Sequence, residues 1–276
     1  MKYKEAVAIK LKPAKVKIPS FKKIFKVREG SFLGVGVIFL LLVVWELASS
    51  LELINPIFSS SPSLILKESI VIIQDGSIWQ HIIASSKIFL VGFFLAIVVG
   101  IPVGLIMGWF KKANQAFGPL VAAVYATPDL ALMPLFIVWL GMGMGSKVFL
   151  IFLGAVFPII LNIQMAMRSI DNDLVKVAKS YGASQNQIFR TIALPVSIPF
   201  IMTGLQIASS RALIGVVGAE VFGAQEGIGY MIRYAGMNFQ MDKVFVYVII
   251  ITLLAIILDR SLNVLNRKFD SWRGLD

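Results

Sequence analysis

Long apolar runs, separated by short polar segments, constrain this chain more than any other feature. A helix needs about 20 mostly apolar residues to cross the hydrocarbon core of a membrane. Because lipid offers the backbone no hydrogen-bonding partners, runs of this length in a membrane are helical. The sequence therefore predicts an all-α polytopic membrane protein with six transmembrane helices. The predicted spans are residues 31–50, 83–110, 117–140, 147–167, 196–222 and 243–262.

The apolar runs divide the chain into one large region and two tails. The transmembrane domain is predicted over residues 31–265, with a basic tail at residues 1–30 and a short polar tail at residues 266–276. Residues 1–29 contain ten Lys and Arg side chains. We interpret the basic tail as a cytoplasmic segment that fixes orientation. An interfacial helix held by anionic lipid is the alternative interpretation.

The distribution of Lys and Arg predicts the orientation in the membrane. With the N-terminus inside, 20 of the 26 Lys and Arg residues lie at the inner ends of the spans and five lie at the outer ends. Basic residues accumulate on the cytoplasmic side of membrane proteins, so both termini are predicted to be cytoplasmic. The net charge of +11 resides in tails and loops rather than on a soluble basic domain, so nucleic acid is not expected as a partner.

Residues 176–195 form the longest polar segment between two spans. The residues before Gly182 lack Gly and Pro back to position 171 and carry apolar side chains at helical spacing, which predicts a helix. Gly182 interrupts that helix, because glycine readily adopts positive φ angles. Residues 184–194 predict a second short helix that ends at Pro195. The predicted element is a helix–Gly–helix unit on the cytoplasmic surface, although an ordinary loop between two spans is the alternative.

Small residues and prolines give further local predictions. A glycine at every fourth residue from Gly100 to Gly108 lines one face of the second span and predicts close packing against another helix. Pro158 is predicted to break the fourth span. Pro62, which follows a run of serines, is typical of a first helical position and predicts a short surface helix over residues 63–74.

Asp129 and Arg211 lie near the middle of predicted spans, and Glu220 lies toward the end of the fifth span. Charged groups are costly at membrane depth, so each is a candidate for the substrate pathway. Arg211 either attracts an anion or forms a structural ion pair with Asp129, and the sequence leaves both interpretations open. Arg211 and Glu220 are nine residues apart and point to opposite sides of one helix, so they do not pair with each other.

The sequence contains few of the side chains that perform catalysis or bind metals. It has no Cys and a single His, His81, around which no metal-ligand cluster is expected. A Gly-Lys-Ser/Thr phosphate-binding loop is absent. We therefore predict no catalytic residue, no metal site and no cofactor, and the chain is not expected to be an enzyme.

The polar segment also resembles a known family signature. Gly182, nine further residues, Ile192, and then Leu194-Pro195 resembles the cytoplasmic loop of ABC-importer permeases. That loop usually begins with Glu-Ala-Ala, where this chain has Lys-Val-Ala at residues 176–178. The resemblance extends over roughly residues 55–265. The segments TPDLALMPLFIVWLGMG, FPIILN, TGLQIASSRALIGVVGAE and GIGYMI look like the branch for nitrate, sulfonate, taurine and bicarbonate.

The resemblance implies a fold, a set of coupling residues and several partners. The fold is that of type I ABC importers, with coupling helices between spans four and five. The partners are two copies of an ABC ATPase subunit, which binds ATP and Mg, a second permease copy forming a homodimer, and an extracytoplasmic solute-binding protein. The residues implied to contact the ATPase are Lys176, Ala178, Lys179, Ser180, Tyr181, Gly182, Ala183, Ile192, Leu194 and Pro195.

The function implied is that of a permease subunit in the cell (inner) membrane. It would form the pathway of an ATP-driven importer for a small anionic solute such as nitrate, a sulfonate, taurine or bicarbonate. A stand-alone channel or an ion-coupled secondary carrier is the alternative, with the polar segment as a passive loop. Such carriers often contain internal repeats, and no convincing repeat is present here.

Overall fold

The structure is a computed structural model that describes residues 21–270, so most of the predicted basic tail and the last six residues lie outside the described residues. The chain forms two units, one up to Ile54 and one from Asn55 onward. In the first unit, α1 (Phe21–Ser50) is a single helix that contains the predicted first span and begins ten residues before it.

The second unit is helical wherever the described residues form regular structure. Its elements are α2 (Pro56–Ser59), α3 (Pro62–Gln74), α4 (Ser77–Trp109), α5 (Lys111–Ala126), a 3-10 turn (Asp129–Leu132), α6 (Met133–Leu140), α7 (Met144–Arg168), α8 (Asn172–Ser180), α9 (Gln185–Ile188), a π-helical turn (Phe189–Ala193), α10 (Leu194–Gly223), α11 (Ile228–Met237) and α12 (Met241–Asp270).

The structure has the six predicted spans when one bent helix pair is counted as a single span. Five helical segments are long and apolar enough to cross a membrane. The predicted third span is not one straight helix. It comprises α5 and the helical segment from Asp129 to Leu140, which meet at an angle of 86°. Pro128 explains the break, because a proline disfavours the α conformation of the preceding residue and Thr127 is extended.

Sequence signals set the ends of several helices. The Ser61 side chain accepts a hydrogen bond from the Leu64 N–H, and Pro62 occupies the first turn of α3, as predicted. The chain then turns through Gly76, whose φ is +75°. The Asp75 carboxylate accepts hydrogen bonds from the backbone N–H and the hydroxyl of Ser77 at 2.8 and 2.7 Å. These bonds lower the pKa of Asp75 below its ordinary value because they stabilise the charged form.

The core is built around α7, which packs against α4 on one side and α10 on the other. The glycine face predicted on α4 forms the first of these contacts. A Cβ on Gly100 would lie 3.1 Å from the Ile159 Cβ, and one on Gly104 would lie 3.0 Å from the Ile163 Cβ. The absence of side chains at these positions allows the two helices to approach closely, which is how small residues promote helix association in lipid.

We expect Gly104→Ala to lower the stability of the folded protein by about 1–3 kcal/mol, the usual cost of overpacking a core. The added methyl group would meet both the Ile163 side chain and, at 3.1 Å, the backbone of Ile160. Thermal unfolding in detergent measures the effect. Gly145→Ala is the matched control, because that helical glycine has no neighbour closer than 3.8 Å. Equal stability of the two variants would contradict the close packing of α4 on α7.

Two predictions about prolines are wrong. Pro158 does not break the fourth span, because α7 runs unbroken from Met144 to Arg168. Its missing N–H is tolerated where neighbouring helices enclose the backbone, and the Pro158 carbonyl accepts a hydrogen bond from the Asn162 side chain at 2.8 Å.

Pro195 does not end a short second helix. The helix that begins at Gln185 widens into the π-helical turn and continues into α10. In that turn the Leu194 N–H bonds to the Phe189 carbonyl, five residues earlier. Such a widening is a common way for a helix to accommodate an insertion or a proline.

Candidate functional site

Asp129 and Arg211 both line one small cavity. The cavity is formed where α5, the 3-10 turn, α7 and α10 meet. Arg211 comes from the middle of α10. Asp129 is the first residue after Pro128, at the kink of the third span, where it lies beside α7. The lining residues are Val124, Tyr125, Thr127, Asp129, Leu132, Leu153, Gly154, Phe157 and Arg211.

The Arg211 guanidinium stacks on an aromatic ring instead of pairing with a carboxylate. Its carbon lies 5.2 Å from the centroid of the Tyr125 ring, a cation–π distance. Its Nη2 donates a long hydrogen bond of 3.4 Å to the Tyr125 hydroxyl. Ion pairs of the described residues include Lys176–Asp173 and Lys243–Glu68, and neither involves Arg211. The ion pair considered between Arg211 and Asp129 is therefore not formed in this conformation.

Backbone geometry fixes the position of the Asp129 carboxylate. Its Oδ1 accepts a hydrogen bond from the Leu130 N–H at 3.0 Å, which stabilises the first turn of the 3-10 helix. Its Oδ2 lies against α7, 2.9 Å from where a Cβ on Gly154 would be. Glycine at position 154 therefore makes the room that this carboxylate occupies.

A second and larger cavity adjoins the first at Tyr125. Its volume is about 370 Å³, whereas the cavity with Asp129 and Arg211 has about 20 Å³, room for little more than one water molecule. Asn162, Gln164 and Arg168 contribute polar side chains to the larger cavity, and Arg168 is the last residue of α7. Tyr125 thus lines both cavities, and the larger one reaches the end of α7.

Glu220, the third candidate for the pathway, lies in a different environment. It is only 1% exposed. The Ser85 hydroxyl of α4 donates to one carboxyl oxygen at 2.7 Å, and the Gly229 N–H of α11 donates to the other at 2.7 Å. Ser85 in turn accepts a hydrogen bond from the Ile228 N–H at 2.9 Å. The carboxyl group therefore joins α4, α10 and the start of α11.

The contacts of Glu220 with Ser85 and Gly229 form a joint between α4, α10 and α11, and His81 belongs to this joint. Its Nδ1 accepts a hydrogen bond from the Gly227 N–H at 3.2 Å. Gly227 has a φ of +117°, a conformation that residues with a side chain rarely adopt. In the described part of the chain, no group of three or more His, Cys, Asp and Glu side chains is arranged to hold a metal ion.

The polar loop after α7 forms the predicted helix–Gly–helix unit. Asp171 caps α8 by accepting the Asp173 N–H, and Gly182 turns the chain with a φ of +80°. Ser184 and Gln187 then form a capping box at the start of α9. A side-chain cap thus stabilises each helix start, and at α9 the capping is reciprocal, so the loop is an ordered element.

One side of α8 carries apolar side chains that the rest of the described chain leaves uncovered. Leu174, Val177 and Tyr181 are 56%, 53% and 88% exposed. Their spacing of three and four residues places them on one helix face. Leu174 and Val177 were not among the predicted coupling residues, although their helical spacing with Tyr181 is visible in the sequence.

The predicted coupling residues divide between surface and interior. Lys176, Lys179, Ser180, Tyr181 and Gly182 are exposed, whereas Ala178, Ala183, Ile192, Leu194 and Pro195 are half-buried. Within the half-buried group, Ile192, Leu194 and Pro195 lie where the loop continues into α10. The Lys176 ammonium pairs with Asp173 at 2.8 Å within α8, an exposed pair that contributes little to stability.

Comparison with known proteins identifies similar chains over most of this length. The family model described as binding-protein-dependent transport system inner membrane component matches residues 100–271. The taurine transport system permease protein TauC of Escherichia coli is 32% identical over 247 residues, which cover 88% of this chain and 90% of that protein. The aliphatic sulfonates transport permease protein SsuC of Escherichia coli is 34% identical over 241 residues, covering 87% and 90%.

A solved structure has the same fold. The inward-facing conformation of the MetNI methionine ABC transporter superposes with a TM-score of 0.61 and covers 71% of this chain and 95% of that chain. The sequence identity is 18%, so the likeness concerns the fold alone. It confirms the predicted type I importer-like arrangement of helices.

Proposed function

The chain belongs to the family of binding-protein-dependent transport system inner membrane components, and we propose that it forms the solute pathway of an ATP-driven importer. The pathway would include the two cavities that share Tyr125, with Asp129 and Arg211 on its wall. As a member of this family the chain is an ABC transporter permease located in the inner membrane. Its function is transport, and the proposal assigns ATP hydrolysis, with its ATP and Mg, to a separate ATPase subunit.

The proposed solute is a small anion, such as a sulfonate. Arg211 carries a permanent positive charge into the membrane-spanning region, where such charges serve transport more often than structure. No carboxylate of the described residues pairs with it. The relatives named for taurine and aliphatic sulfonates support this choice, because both solutes contain a sulfonate group.

The proposed partner surface is the apolar face of α8. This exposed face is the single observation that carries the ATPase proposal, since three uncovered apolar side chains on an ordered cytoplasmic helix fit a groove on a soluble protein. Movement of α8 would reach the cavity with Asp129 and Arg211 through α7. Three residues separate the two helices, and α7 lines the cavity with Gly154 and Phe157. The orientation with both termini inside, inferred from the basic residues, would place this face on the side of ATP.

A second copy of the chain is proposed to complete the pathway. Ile207, Ser210, Arg211 and Ile214 are exposed along one side of α10. An exposed arginine beside exposed isoleucines is costly in lipid, and an identical copy facing this side would cover it. A homodimer would then enclose the two polar cavities between its halves, while a solute-binding protein delivers the solute from outside.

We expect Leu174→Glu with Tyr181→Glu to abolish co-purification of the ATPase with the tagged permease in mild detergent. The added charges would be buried on docking, at a cost that removes most of the affinity. Met142→Glu is the matched control, because Met142 is an equally exposed apolar residue that precedes α7, about 37 Å along the helix from the loop. Mass spectrometry identifies the ATPase. If the wild-type protein brings no ATPase with it, the importer proposal fails and the channel or carrier interpretation replaces it.

A further inference from the structure

A third cavity, of about 390 Å³, opens where α4 meets α5. It is lined by Trp109, Phe110, Lys111, Lys112 and Gln185. Its volume is within the range of pockets that bind small molecules, about 300–1,000 Å³. It shares no residue with the two cavities beside Tyr125, so it is a binding space separate from the proposed solute pathway.

The local structure explains how this cavity is formed. α4 ends at Trp109, and Phe110 is extended, with φ −96° and ψ 109°. The chain therefore leaves one helix and begins another at Lys111. The Trp109 ring packs edge-on against the Phe189 ring of the π-helical turn, with the ring centroids 5.2 Å apart. This contact holds the end of α4 against the polar loop, whose α9 contributes Gln185 to the lining.

The cavity lies at a boundary between hydrocarbon and water. α4 is an apolar span that ends at Trp109, and two lysines follow Phe110 directly. Tryptophan is enriched at membrane interfaces, where lysine side chains extend their charged ends toward water. The cavity therefore opens at the depth of the phospholipid headgroups, whichever side of the membrane the lysines occupy.

Two cationic side chains line this cavity without a compensating carboxylate. Lys111 and Lys112 are exposed, and neither is paired with a carboxylate of the described residues. The other lining residues carry no charge. Neighbouring ammonium groups repel each other, and an anion bound between them offsets that repulsion. Basic pockets at the ends of membrane helices are typical of sites for anionic lipid headgroups.

We propose that this cavity binds the headgroup of an anionic phospholipid, such as phosphatidylglycerol. The phosphate accepts charge-assisted hydrogen bonds from the Lys111 and Lys112 ammonium groups, and the Gln185 amide is a further donor. The acyl chains lie along Ile106 and Phe110, which are exposed one helical turn apart at the end of α4. A soluble phosphate would reach the same lysines but would gain nothing from this apolar surface, so the structure favours a lipid.

Native mass spectrometry of the full-length permease in detergent measures the binding directly. Phosphatidylglycerol is titrated beside phosphatidylcholine with the same acyl chains, which has the phosphate but no net charge. Glycerol phosphate tests the anion without acyl chains. The ATPase is added in a separate titration, because a protein could also cover the two lysines.

Two pairs of substitutions remove the same amount of charge from different places. Lys111→Gln with Lys112→Gln removes both cations of the cavity. Lys67→Gln with Lys87→Gln is the matched control, because these lysines are also exposed, on α3 and α4, but do not line the cavity. Thermal unfolding of both proteins checks that they are folded.

We expect phosphatidylglycerol to bind the wild-type protein about tenfold more tightly than phosphatidylcholine. The substitutions in the cavity should weaken its binding about 30-fold, or about fivefold for each lysine. The control should change its binding by less than about twofold. Equal binding of the two lipids, or the same loss in both substituted proteins, would overturn the proposal. It would also be overturned if glycerol phosphate bound as tightly as phosphatidylglycerol, or if the ATPase displaced the lipid.

Discussion

Replacing Arg211 with alanine is expected to lower solute uptake strongly while the permease stays folded and bound to its ATPase. Arg211 is exposed, and in the described structure it is paired with no carboxylate. Its removal therefore leaves no buried charge without a partner, which is the usual reason that such a change unfolds a protein. Loss of a charge-assisted bond to the solute costs about 1.5–3 kcal/mol, or roughly 10- to 150-fold in uptake rate. ATP-dependent uptake of a radiolabelled sulfonate into proteoliposomes measures the effect.

Arg233→Ala is the matched control for this prediction. Arg233 also stacks on a tyrosine, with its guanidinium carbon 5.8 Å from the Tyr230 ring centroid, but it lies on α11 and does not line the charged cavity. Its replacement should leave uptake within about twofold of the wild-type rate, as is usual for substitutions away from a site. Equal loss in both variants would assign Arg211 a general structural role. Full uptake by Arg211→Ala would show that the solute passes elsewhere.

The parts of the fold that depend on local patterns were predictable from sequence. The glycines from Gly100 to Gly108 recur at the helical period, so their common face and its contact with another helix could be inferred without knowing the partner. The loop after α7 was predictable for the same reason, because Gly182 and the cap at Ser184 act within a few residues. The wrong predictions concern Pro158 and Pro195, since a neighbouring helix decides whether a proline breaks or only perturbs a helix.

The parts of the site that depend on distant residues were not predictable. Ser85 and Glu220 are separated by 135 positions, and no local periodicity connects them. The 86° bend of the third span decides that Asp129 points into a cavity shared with Arg211 instead of into lipid. Sequence reasoning identified both residues as costly charges inside spans, but whether they pair depends on distances of a few ångströms that only the packed helices set.

Glu220→Ala is expected to destabilise the folded permease by about 2–6 kcal/mol, because two buried donors each lose their acceptor at about 1–3 kcal/mol. These donors are the Ser85 hydroxyl and the Gly229 N–H, which lie on different helices. Alanine also leaves a void that the surrounding helices fill only in part. The substitution should therefore separate α11 from α4 before the rest of the protein unfolds. Thermal unfolding in detergent, with proteolysis near Gly227, detects both effects.

Two further variants distinguish the lost contacts from the lost charge. Glu220→Gln keeps the volume and one acceptor oxygen, so it should retain more stability than Glu220→Ala and yet less than the wild-type protein. Glu226→Gln is the control, because Glu226 is exposed and makes only a 3.5 Å contact with Gln80; its stability should be unchanged. If Glu220→Ala were as stable as this control, the claim that Glu220 holds α4, α10 and α11 together would be wrong. Glu220 would then remain a candidate for the solute pathway. Loss of stability is expected because the Glu220 carboxyl group is 1% exposed and accepts hydrogen bonds from both α4 and α11, so its removal leaves both donors buried without an acceptor.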